Sequence, residues 1–134
     1  MGRFLPPNPD AGDERTVGGY AAVHSRPPAL EGPDGYAYSV EPSADRSGDP
    51  EHPWGGFLLF LRWRRIGAQG VEGHLETGFL ALANSHSAAL EAVRSLSLES
   101  AQAHLEALVR ERQASDRGPS RRWWDVMREE DDDA

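Results

Sequence analysis

The sequence predicts an α+β domain: a small antiparallel sheet of three to four strands with two C-terminal helices packed on one face. Three observations carry the prediction. Apolar residues alternate with period two at 36–41, 56–65 and 71–83. From Ser85 onward the spacing changes to that of a helix. Strands followed by helices, with no βαβ alternation, is the order of an α+β fold. The length of 134 residues suits one domain with irregular sequence to spare. The expected division is a flexible N-terminal arm at 1–16, the domain at 17–113, and a tail at 114–134.

The arm carries three prolines and mixed charge with no apolar period. "VGGYAAVH" at 17–24 reads as a short strand. Pro27-Pro28 then interrupts, and Pro33-Asp34-Gly35 forms a turn, since proline presets φ and glycine accepts a positive one. "YAYSVE" at 36–41 reads as a half-buried strand with Tyr36, Tyr38 and Val40 on one side. Residues 42–56 show no periodicity and read as a long loop in which Trp54 either folds back onto the sheet as an anchor or serves as a contact residue.

"GFLLFLRWRR" at 56–65 is the strongest strand. Phe57, Leu59, Leu61 and Trp63 form one apolar row, while Leu58 and Phe60 give way to Arg62 and Arg64 on the other. The odd row is therefore expected to face the core. "IGAQG" supplies a turn, and 71–83 returns as the second arm of a hairpin. A turn near Ala68 places Phe57 opposite Phe79, Leu59 opposite Thr77 and Leu61 opposite Leu75. On the other face it places Arg62 opposite His74, Arg64 opposite Glu72 and Phe60 opposite Glu76. A slip by one residue would part Leu61 from Leu75, so the parity is better determined than the register.

Asn84 or Ser85 can cap a helix holding Ala89, Leu90, Val93 and Leu96 on one face. Ser97 can cap a second helix, with Leu98, Ala101, Leu105, Leu108 and Val109 as its stripe. "ASDRGPS" after Gln113 is expected to break it. An acidic run at 131–133 closes the chain.

Composition narrows the chemistry. A net charge of −8 disfavours phosphate-neutralising nucleic-acid binding and docking on anionic membranes. The longest apolar run, "FLLFL", is far short of a membrane span of about 20 residues. The N-terminus has no hydrophobic signal region, so a cytoplasmic location is expected. With no cysteine there are no disulfides or thiolate chemistry; with no lysine there is no Schiff base and no P-loop lysine. The five histidines lack the spacing of a zinc motif, so no metal and no cofactor is expected.

Two groups of residues remain as candidate sites. His74 and Glu76, two apart on a strand, share a face, so the carboxylate can orient the imidazole as a weak acid–base pair, with Arg62 and Arg64 as anion ligands. The plainer alternative is a row of complementary charges on a solvated sheet face. Trp123, Trp124 and Met127 lie beyond the last core helix. Tryptophans there either pack back on the domain or enter a partner's groove. The expected function is a small cytoplasmic accessory or protein-interaction domain, non-enzymatic, with a protein partner bound through the C-terminal tail. The rival is a small-molecule-binding or enzymatic domain using Arg62, His74 and Glu76.

Overall fold

A computed structural model describes residues 7–63 and 70–133, with 116–133 described by backbone alone. Among the described residues there are five strands: β1 (Ala29–Glu31), β2 (Ala37–Arg46), β3 (Trp54–Trp63), β4 (Val71–Glu76) and β5 (Ala81–Ala83). Three α-helices accompany them: α1 (Val17–His24), α2 (His86–Arg94) and α3 (Leu98–Asp133). The sheet is antiparallel in the order β1-β2-β3-β4, and β5 pairs with the far end of β3 beyond β4. The α+β architecture, with two C-terminal helices on one sheet face, is the one the sequence predicts.

The turn at Pro33-Asp34-Gly35 forms as expected. The Gly35 N–H donates to the Gly32 carbonyl, and Gly35 takes a φ of 85°, which favours glycine. It joins β1 to β2, so "ALE" after the two prolines is a strand that sequence reasoning missed. β2 also runs on through Pro42 to Arg46, well into the expected loop. The Val40 N–H points to the β1 side, toward the Pro28 carbonyl, so the N–H that Pro42 lacks would point the same way, away from β3. No ladder bond to β3 is lost there. Residues 47–53 form the remaining loop. In it the Asp49 carboxylate accepts the backbone N–H groups of Glu51 and His52, which hold its pKa below the ordinary carboxylate value. Trp54 is an anchor, with the Arg46 guanidinium 4.5 Å from its ring and the His86 ring edge-on at 5.1 Å.

The core lies between the sheet and the helices. Tyr38, Val40, Leu58 and Phe60 meet Val17, Val93, Ala101, Leu105 and Val109. This is the even row of β3, so the expected inward row of Phe57, Leu59, Leu61 and Trp63 faces the other way. The register explains the inversion. Leu59 lies opposite Glu76, Phe60 opposite Leu75 and Leu61 opposite His74. A bulge between Arg62 and Trp63 then brings Trp63 opposite Val71. Two further residues enter between β4 and β5. There Thr77 takes over the pairing with Leu58: its N–H donates to the Leu58 carbonyl, and its Oγ1 accepts the Leu58 N–H. A hairpin of constant register was the wrong template for an arm irregular at both ends.

Residues 17–24 form a helix, not a strand. The Thr16 hydroxyl caps it by accepting the Gly19 N–H, and Ser25 ends it in the left-handed region at φ 56°. Its glycines permit close approach. A Cβ on Gly18 would press on the Arg94 side chain, and one on Gly19 would collide with the Asp13 carbonyl. Packing thus outweighs the low helix propensity of Gly-Gly. Part of the expected arm is tied to this corner: Asn8 N–H to the Val23 carbonyl at 2.8 Å, and Leu98 N–H to the Arg15 carbonyl at 2.7 Å.

The two C-terminal helices start at their expected caps. Ser85 accepts the Ala88 N–H at 3.1 Å and Ser97 accepts the Ser100 N–H at 3.0 Å. Ser97→Ala is expected to lower stability by about 0.5–2 kcal/mol, read as a shift of the urea midpoint at unchanged slope. α3 does not end near Gln113; its backbone stays helical through Gly118-Pro119 to Asp133. The expected break rested on these two residues, the poorest helix formers, which nothing in the described structure explains within the helix.

Candidate functional site

The structure divides the expected Arg62–His74–Glu76 constellation between the two faces of the sheet. Arg62 lies on the helix-covered face, opposite Tyr38 and Gly73. The β1–β2 turn delivers Asp34 to it. The Asp34 carboxylate accepts the Tyr36 N–H at 3.1 Å and the Tyr38 hydroxyl at 2.7 Å. Arg62 stands 3.7 Å from the same carboxylate and 3.9 Å from that of Glu72, with its guanidinium 4.5 Å above the Tyr36 ring. Burial, and then the bond to Asp34, raise the Tyr38 phenol pKa to about 12. This cluster joins the turn, β2, β3 and β4 through charge-assisted contacts and leaves Arg62 committed within the fold. Arg64 lies outside the described residues, as do the side chains of Trp123, Trp124 and Met127.

His74 and Glu76 lie on the opposite face, beside Leu61 and Leu59. Both are exposed. No hydrogen bond or ion pair joins their side chains among the described residues. Their neighbours form an apolar row along the centre of the sheet: Phe57, Leu59 and Leu61, each half-buried, then Trp63, 40 % exposed. Trp63 is fixed by its indole N–H, which donates to the Ser39 hydroxyl at 3.0 Å. At the other end, Phe79 covers Gly55, where a Cβ would run into the ring. Phe79 meets Phe57 edge-on at 6.2 Å and remains 45 % exposed. The described helices pack on the other side, as Gly56 shows: a Cβ there would strike the Ala89 carbonyl of α2.

Carboxylates border the apolar row. Glu41 lies opposite Leu59 from β2, Glu76 opposite it from β4, and Asp45 opposite Gly55. Asp45, Phe57, Glu76, Thr77, Gly78 and Phe79 line an open hollow of about 220 Å³, which does not include His74. The arrangement suits contact with an apolar surface bearing cationic groups. Sequence reasoning set Phe79 beside Phe57 but turned that row to the core, and it missed Asp45 as a member of this face. The available signal was Gly55, whose bare backbone makes room for a ring.

Among the described residues, no group of three or more acidic or histidine side chains is placed to hold a metal ion. No described helix is long and apolar enough to cross a membrane. Comparisons with protein-family models, curated proteins and solved structures find no match.

Proposed function

We propose that this chain is a non-enzymatic, cytoplasmic protein-interaction domain that holds its partner on the open face of the sheet. One observation supports the reading. A continuous row of large apolar side chains, from Phe79 through Phe57, Leu59 and Leu61 to Trp63, lies on a hydrogen-bonded sheet with the described helices all behind it. Contiguous apolar surface with aromatic residues at its ends and charge at its margin is the composition of an interface core and rim. Trp123, Trp124 and Met127 form the second contact of the proposal, on the tail.

Affinity capture from the source cells tests both contacts. Three baits are compared: the intact chain, a Leu59→Ser/Leu61→Ser double variant, and a chain lacking 119–134. The face variant is expected to retain its far-UV circular dichroism and to lose the partner held by the intact chain, at least tenfold by quantitative mass spectrometry. If the face variant captures the same protein equally well, the face is not the interface. If only the truncation loses it, the contact belongs to the tail.

A further inference from the structure

We infer that the partner segment seated on this face is a basic, amphipathic one, whose apolar side covers Leu59 and Leu61 and whose arginine or lysine enters the hollow beside Phe57 and Phe79. The inference rests on the interface proposed above and adds the chemistry of the occupant.

Charge decides between occupants. Of the described strand residues that share the face with the apolar row, Glu31, Glu41, Asp45 and Glu76 carry charge at neutral pH, all of one sign, and Arg62 is turned to the other side. A second copy of the chain, docked face to face, would set these carboxylates against their equivalents. Like charges brought together at a desolvating contact oppose association. A cationic side chain meets the reverse situation. Asp45 and Glu76 flank the same hollow, whose remaining walls include the Phe57 and Phe79 rings. A guanidinium or ammonium there gains two carboxylates and aromatic surface together. The overall charge of −8 works in the same direction at long range, favouring encounter with basic segments. The apolar row supplies the nonspecific part of the affinity and the border supplies the sign of the partner.

The test uses the full chain and three fluorescein-labelled helical peptides with identical leucine positions, carrying arginine, glutamine or glutamate at the polar ones. Fluorescence anisotropy at low salt reads the affinity. The arginine peptide is expected to bind about tenfold or more tighter than the glutamine peptide, and the glutamate peptide to bind weakest. Asp45→Asn/Glu76→Gln should remove most of the preference for arginine. Glu51→Gln/Glu99→Gln makes the same change of net charge away from the face and should leave the preference in place. Added salt should weaken the arginine peptide more than the glutamine peptide.

Equal binding of the arginine and glutamine peptides, or an equal loss in both double variants, overturns the inference while leaving an apolar interface intact. Absence of binding by all three peptides overturns it too. Concentration-dependent dimerisation of the intact chain in sedimentation, abolished by Leu59→Ser/Leu61→Ser, overturns it in favour of a second copy. Failure of the interface itself registers separately, as partner capture that the face variant does not alter.

Discussion

Phe60→Ala is expected to destabilise the domain by about 3–5 kcal/mol, whereas Leu61→Ala, one residue further on, should cost about 1 kcal/mol. Phe60 is 0 % exposed and stands between Val40 and Leu75, with the helical side chains Leu105 and Val109 in the same cluster. Deleting its ring removes a large apolar area and leaves a cavity that close-packed neighbours fill only in part. Total stability for a domain of this size is about 5–15 kcal/mol, so the loss takes a large share of it. Leu61 points to the open face and is only half-buried, so truncation leaves no enclosed void. Urea unfolding followed by circular dichroism checks the pair. A larger cost at Leu61 than at Phe60 would mean that the odd row of β3 faces the core after all.

That pair of substitutions marks the place where sequence pattern and structure part. The α+β class was legible because two periodicities occupy separate stretches of chain, and the helix caps were legible because Ser85 and Ser97 stand immediately before apolar stripes. The inward face of β3 was not legible. Between 57 and 61 every residue is apolar, so alternation gives no preference, and by pattern alone Arg62 marks the wet side. In the fold, Asp34 and Glu72 meet Arg62 on the helix-covered side, which makes a charged residue compatible with that face. Asp34 comes from a turn far away in sequence, so no local pattern could have announced it. The bulge beside Arg62 and the insertion at Thr77 likewise depend on tertiary packing. In β4 the clue was present, since Leu75 is the apolar residue between His74 and Glu76, but a constant register joined it to Leu61 instead of Phe60.

The inversion also alters what the candidate residues do. With the odd row outward, His74 and Glu76 become the margin of an apolar surface and not the floor of a polar one. Arg62 moves into the structural framework. The open face then combines apolar contact area with a margin of carboxylates, the two features on which the proposed interface rests.

Tyr38 gives the second large effect, and its signature is a pH window. Its phenol is 1 % exposed and donates to Asp34, so the folded state holds the proton to about pH 12, against an ordinary tyrosine pKa near 10. Below pH 10 both states are protonated and the contribution of the pair is complete. Between pH 10 and about 12 the unfolded chain releases the proton first, which favours unfolding, so stability falls as pH rises through this range. Two pH units correspond to about 2–3 kcal/mol. Tyr38→Phe should remove the window: its stability curve lies about 1–2 kcal/mol below the intact chain near pH 8, and the two meet and cross between about pH 11 and 12. Asp34→Ala is the companion variant. It leaves the buried hydroxyl without that acceptor and parts Arg62 from one of its two carboxylates, at a cost of about 1–3 kcal/mol at neutral pH. Urea midpoints measured from pH 8 to 12 for the three proteins decide the matter. Parallel curves for the intact chain and Tyr38→Phe would show that the phenol titrates as freely in the folded state as in the unfolded one, and that the Asp34–Tyr38–Arg62 cluster does not hold its proton.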